Sequence, residues 1–337
     1  MKRKTLYFTA PRKVELREET LPTPGADDVL VETTCSAISA GTEMLVYQGR
    51  FPRDVETDSV ISSLRGGFQY PLAFGYACVG RVRETGKQVD RSWIDKPVFA
   101  FQPHTSHFVC KLDSLLPVPS PISPETACFL PNMETAVNLV QDGAPVLGER
   151  VLVLGQGIVG LLTASLLAEF PLETLVVADC YELRCKLSPV TDRLTLDPYS
   201  PGFHKDAATL LNGGADLTFE LSGRPETLND ALALTGFSGR IVIGSWYGEK
   251  RAEIDLGGAF HRSRIRLISS QVSMIAPELS GRWDKTRRFD VAWQALERVK
   301  PEKWITHRFP IEEAAAAYQL LDEKPQETIQ IVFNYNT

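Results

Sequence analysis

Apolar positions keep three different rhythms along the chain. Through roughly the first 130 residues they come in short runs: Leu6-Tyr7-Phe8, Val14-Glu15-Leu16, Val29-Leu30-Val31-Glu32-Thr33, Ala77–Val82, Pro97–Ala100 and His107–Cys110. Proline and glycine punctuate them, which predicts a β-rich barrel or sandwich. The middle third alternates unbroken apolar runs with longer helical stretches. Val151–Gly155, Leu175–Asp179, Leu194–Leu196, Ala215–Leu221, Arg240–Gly244 and Arg266–Ser269 read as strands, and Pro225–Leu234 is one of the helices between them. Six such strands with crossover helices predict an α/β fold built on a doubly wound parallel six-stranded sheet. From about Gln271 the texture changes again, to two helices (Phe289–Val299 and Ile311–Asp322) and a closing strand, Thr328–Phe333. The simplest topology inserts 131–271 between two pieces, 1–130 and 272–337, of a substrate domain, with the active site expected in a cleft between the domains.

Composition narrows the function by exclusion. The 337 residues are 43% hydrophobic and 23% charged with a net charge of −6, ordinary for a globular protein and without the basic footprint of a nucleic-acid binder. No apolar run reaches membrane-spanning length. The basic Met1-Lys2-Arg3-Lys4 is not followed by an apolar stretch, so secretion is not expected. Six scattered cysteines without C-x-x-C spacing read as buried reduced thiols of a cytoplasmic protein. The expected partner is a small-molecule substrate, not nucleic acid or membrane.

The strongest chemical signal is Val151-Leu152-Val153-Leu154-Gly155-Gln156-Gly157-Ile158-Val159-Gly160, a buried strand running through G-x-G-x-x-G into an apolar helix. An acid, Asp179, ends the next strand at the spacing of a dinucleotide site. Gly155 permits the tight turn, Gly157 has no Cβ to block a pyrophosphate, and Gly160 lets helix and sheet approach. Gln156, Ile158 and Val159 complete the turn whose amide groups face the diphosphate. Asp179 can accept both ribose hydroxyls and repels a 2′-phosphate, so NAD is expected over NADP, with Arg184 close enough in sequence to soften the preference.

The order of these motifs resembles the medium-chain dehydrogenase/reductase superfamily, which joins a GroES-like catalytic domain to a Rossmann domain. The resemblance spans nearly the whole chain. It rests on Val29-Leu30-Val31 leading to Ser39, Gly75-Tyr76-Ala77-Cys78-Val79-Gly80, the glycine fingerprint, Gly214–Glu220, and Ile305-Thr306-His307-Arg308-Phe309-Pro310. Zinc enzymes of this superfamily carry a ligand cysteine and a G-H-E-x-x-G motif. Here Ser39 stands near the cysteine position, Tyr76-Ala77 replaces His-Glu, and the four-cysteine structural-zinc lobe is missing. A zinc site needs thiolate and imidazole donors, so no zinc is expected. His104 and His107, three apart on an extended segment, would point to opposite faces and do not suggest a shared metal. Within the superfamily, Ile38–Glu43 and Tyr70–Tyr76 are most similar to the zinc-lacking branch containing bacteriochlorophyllide a dehydrogenase.

The resemblance implies hydride transfer between a nicotinamide and a secondary alcohol or ketone. Without zinc, a hydrogen-bond donor must stabilise charge on the substrate oxygen. Tyr76 is the leading candidate, with Ser39 and Thr42 as proton relays and Glu43 as base; a purely space-filling Tyr76 is the competing reading. Resemblance places Thr135 near the nicotinamide ribose and phosphates. Ser222-Gly223 and Gly244-Ser245-Trp246 follow two sheet strands where their ends open onto a ligand crevice, and Ser269-Ser270-Gln271 is expected by the carboxamide. The segment 50–69 is expected to cover the cleft, and a homodimer is expected through the sheet-edge segments 241–243 and 265–269. The alternatives are a quinone- or enone-type double-bond reductase, or a non-catalytic NAD-binding protein.

Overall fold

The computed structural model describes residues 1–52, 67 and 69–335; most of the expected cover, 53–66 and 68, lies outside the described residues. The chain divides into two compact units, Met1–Pro131 with Lys300–Thr337, and Asn132–Val299.

In the first unit the opening runs form a hairpin of Lys2–Ala10 with Lys13–Thr20, and Leu72–Ala73 adds to its open side. A larger, mostly antiparallel sheet is organised by the long strand Asp28–Ala37, which pairs with Cys78–Thr85, His107–Lys111 and Gln330–Asn334; Ile305–Pro310 joins it parallel to Gln330–Asn334. Residues 330–334, at the far end of the chain, therefore complete a sheet begun by residues 28–37. This is the β-rich architecture anticipated from the short runs, and the GroES-like domain that the resemblance implied. Alternation buries one side of each strand around two clusters, one about Val29, Val31, Cys78, Val82 and Phe108, the other about Phe8, Phe74, Tyr318 and Phe333. The helix Thr42–Gln48 caps the second cluster and ends at Gly49, whose φ of +70° suits a left-handed helix stop.

The second unit holds a six-stranded, all-parallel sheet. Its order is Thr195–Leu196, Thr174–Ala178, Arg150–Leu154, Ala215–Glu220, Thr235–Ile243, Arg266–Ser269. This is the doubly wound Rossmann order, with its topological switch between Arg150–Leu154 and Ala215–Glu220. Val151 to Leu154 are buried on both faces, which is why the run is unbroken rather than alternating. The helix Ile158–Leu167 is apolar nearly all round because it too is enclosed. Helix Lys285–Val299 falls in this unit, tied by the fully buried Arg288 to Glu134 on helix Leu130–Gly143. Among the described residues no helix is long and apolar enough to cross a membrane.

Candidate active-site elements

The glycine turn has the geometry its spacing implies. Gly155 takes φ +100°, and a Cβ there would meet the Leu221 carbonyl at 2.6 Å and the Ser222 nitrogen at 2.7 Å. The turn thus sits against the next strand end, at the switch point. Gly157 faces open space, its nearest neighbour for a Cβ being Arg184 Nη1 at 3.9 Å. The helix Ile158–Leu167 starts there without a side-chain cap, so its first amide groups are left for a ligand. These features fit a dinucleotide diphosphate.

Asp179 is buried and already accepts from the Gln156 N–H at 2.7 Å and the Tyr181 N–H at 2.8 Å. A carboxylate has about four lone-pair sites, so acceptor capacity remains for a hydroxyl. Arg184 reaches within 3.7 Å of the same carboxylate and lies over the Tyr181 ring. The guanidinium beside the turn sharpens what the sequence suggested only by proximity. Burial pushes the neighbouring Cys185 thiol up to about 11, consistent with an inert apolar role.

The strand ends beyond the switch point carry a network that sequence reasoning missed. Buried Glu220 accepts from the Ser222 N–H at 2.9 Å, from the Ser222 hydroxyl, and from the Tyr247 phenol at 2.6 Å. Burial, then Glu220, push the Tyr247 phenol well up. The Gly223 N–H donates to Ser245 Oγ at 2.9 Å, tying the two strand ends together. A Cβ on Gly244 would strike Leu139 at 2.5 Å, so that glycine serves packing. Trp246 is 40% exposed. Thr135 is half-buried, Ser269 and Gln271 are exposed, and Gln271 bonds Ser273. Ser270 donates to Asp142 at 2.6 Å and accepts from Asn138 at 2.9 Å, anchoring its segment to the helix Leu130–Gly143.

In the first unit the structure brings together three of the four expected catalytic side chains. Tyr76, half-buried, donates its phenol hydrogen to Ser39 Oγ. The Ser39 N–H donates to Glu43 Oε1 at 2.8 Å, an i to i+4 contact across the start of the helix Thr42–Gln48. Thr42 opens that helix and is half-buried. Glu43 is fully buried, and its Oε2 takes the Tyr318 hydroxyl and a bond with His104 Nε2 at 3.0 Å. His104 Nδ1 lies 2.7 Å from Ser36 Oγ, which lies 2.7 Å from the Tyr335 hydroxyl. His107 instead sits by Ser106 and 3.9 Å from Glu32, so the two histidines occupy different sites.

The side chains grouped here are oxygen donors and one imidazole, bonded to one another. At the expected metal position Ser39 and Tyr76 bond each other, and both nitrogens of His104 are engaged by Glu43 and Ser36. Two core thiols, Cys35 and Cys128, face each other at 3.4 Å. Burial pushes the Cys128 thiol well up.

No protein-family profile matches the chain. L-threonine 3-dehydrogenase from Xanthomonas campestris is 23% identical over 357 residues, covering 96% of this chain and 98% of that protein. Among solved structures, the alcohol dehydrogenase RspB from Escherichia coli complexed with NADH superposes with a TM-score of 0.79 at 18% identity, covering 99% of both chains. Zinc dependent alcohol dehydrogenase 2 from Streptococcus pneumonia superposes with a TM-score of 0.80 at 19% identity, again over 99% of both. The fold is that of the medium-chain dehydrogenases. One of these neighbours is a zinc dependent enzyme.

Proposed function

We propose that this protein is a zinc-independent, NAD-dependent oxidoreductase that interconverts a secondary alcohol and its ketone. The hydrogen bond from the Tyr76 phenol to Ser39, with Glu43 behind Ser39, carries the reading, because it makes a proton-active hydroxyl pair of the two residues that the resemblance aligns with zinc ligands. The residues of the turn Gly155–Gly160, with Asp179 and Arg184, would hold the dinucleotide, and the bound nicotinamide supplies or accepts the hydride. Tyr76 orients the substrate oxygen and stabilises charge there, as a preorganised donor does in a dry site. Ser39 fixes the phenol, and Glu43 fixes Ser39 through its amide. The buried Asp179 carboxylate supports NAD over NADP. The reading includes a homodimer paired through the outer strand Arg266–Ser269, to be checked by sedimentation; residues 241–243, also expected at the edge, lie inside the sheet because Thr235–Ile243 is paired on both sides.

The test is nicotinamide titration on protein of assayed metal content, followed by turnover against ketones, secondary alcohols and enones. Ketone turnover with NADH, without stoichiometric zinc and reduced about 100-fold in Tyr76→Phe, is expected. Stoichiometric zinc, NADPH-dependent enone reduction, or tight NADH binding with no turnover would overturn it.

A further inference from the structure

The glycine turn at Gly155 is shaped by a peptide from another strand. The Leu221 N–H donates to the Leu154 carbonyl at 2.8 Å, and a Cβ on Gly155 would stand 2.6 Å from the Leu221 carbonyl oxygen and 2.7 Å from the Ser222 nitrogen. The Leu221–Ser222 peptide is therefore one wall of the turn, and whatever orients that peptide sets the clearance at Gly155. Glu220 orients it. Its Oε1 accepts both the Ser222 N–H, at 2.9 Å, and the Ser222 hydroxyl, while the Ser222 oxygen accepts the Arg224 N–H at 3.1 Å. Its Oε2 accepts the Tyr247 phenol at 2.6 Å, from the loop that follows Thr235–Ile243. Two further bonds join the same loops, from the Gly223 N–H to Ser245 Oγ at 2.9 Å and from the Lys250 ammonium to the Gly223 carbonyl at 2.8 Å. The loop is open on its other side: Gly223 takes φ +70°, and a Cβ there would meet nothing within 4 Å.

Glu220 is 0% exposed. Burying a carboxylate is costly, and an apolar side chain would serve packing alone. Directional bonds to a peptide nitrogen do what apolar contact cannot, because they fix the rotation of the peptide plane. We propose that Glu220 and Tyr247 are positioning residues of the dinucleotide site: Glu220 sets the Leu221–Ser222 peptide against Gly155, and Tyr247 sets Glu220. The proposal rests on the dinucleotide reading of the turn Gly155–Gly160 and is independent of the substrate. Both residues act through that turn, not by contact with the ligand. Its amide groups face the diphosphate, so the two residues govern the half of the ligand that ADP-ribose shares with NADH. Burial and then Glu220 hold the Tyr247 phenol protonated, so this link stays made as pH rises.

Tyr247→Phe keeps the ring and removes only the oxygen that holds Glu220. Fluorescence titration is expected to show NADH bound about ten-fold more weakly, as the loss of a hydrogen bond to a buried charge implies. Calorimetric titration of ADP-ribose, which lacks the nicotinamide, is expected to show the same factor. Glu220→Gln keeps an acceptor for the Ser222 N–H and is expected to retain NADH affinity within about three-fold, whereas Glu220→Leu loses about ten-fold or more. In protein without ligand, the Ser222 amide hydrogen, followed by NMR, is expected to exchange with solvent about ten-fold faster in Tyr247→Phe. Wild-type affinity for both ligands in Tyr247→Phe, whatever its Tm, would overturn the proposal and leave the dinucleotide reading standing. Equal losses in Glu220→Gln and Glu220→Leu, or unchanged exchange at Ser222, would do the same. Wild-type protein that binds neither NADH nor NADPH would overturn the dinucleotide reading, and the positioning role with it. Should Glu220→Leu fail to fold, Tyr247→Phe and Glu220→Gln decide.

Discussion

A Cβ on Gly160 would stand 1.9 Å from the carbonyl oxygen of Gly155. The obstacle is backbone, so nothing flexible can give way. Gly160→Ala is expected to force the helix Ile158–Leu167 off the sheet and cost about 1–3 kcal/mol. Thermal unfolding should show the lowered Tm, and NADH titration a loss of affinity exceeding ten-fold. Wild-type affinity in this variant would mean the turn does not hold the diphosphate.

Asp179 has two tasks, holding the turn through Gln156 and Tyr181 and discriminating at the ribose. Asp179→Asn keeps an acceptor oxygen but removes the charge that opposes a 2′-phosphate, while Arg184 remains beside it. The ratio of NADPH to NADH affinity is expected to rise about ten-fold, equivalent to about 1.4 kcal/mol. Fluorescence titration of both cofactors measures it, and an unchanged ratio would remove Asp179 from specificity.

Arg288 is fully buried and bonds Glu134 at 2.9 Å, the Met274 carbonyl at 3.1 Å and Asn138 at 2.5 Å. Arg288→Met would leave the buried Glu134 charge to Lys285 alone. A loss of about 3–5 kcal/mol is expected, because the uncompensated charge costs more than the pair contributes. Urea unfolding gives the value, and the double variant Glu134→Met/Arg288→Met should be less destabilised than Arg288→Met.

Acid should weaken the second unit through Glu149. Burial raises its carboxyl, but the bonds from Arg240 and the Val146 N–H outweigh this and hold it below the ordinary 4.5. A carboxyl lowered in the folded state contributes stability above its unfolded value that is lost as pH falls through the folded one. The stability that Glu149 adds is therefore expected intact above about pH 4.5 and lost below it. Glu149→Gln should flatten that part of the stability–pH curve measured by urea unfolding at successive pH values.

What the sequence determined by itself was the part governed by local constraint. Unbroken apolar runs and helical spacing marked the parallel sheet, and glycine spacing marked the turn, because backbone sterics act between residues a few positions apart. Ser39 and Glu43 were singled out through the resemblance, and the structure sets them one helical turn apart. Only the tertiary structure decided what those groups face. Ser36 and Tyr335 are 299 residues apart and Arg288 and Glu134 are 154 apart, and no periodicity records such pairs. The sequence showed no role for His104 because its partners, Ser36 and Glu43, arrive on a strand and a helix 68 and 61 residues earlier. Ser270, expected at a cofactor, turns to Asp142 because helix Leu130–Gly143 packs beside the strand end that carries it. A buried polar group takes whichever partner chain closure brings within reach, and that choice exists only once the sheets have assembled.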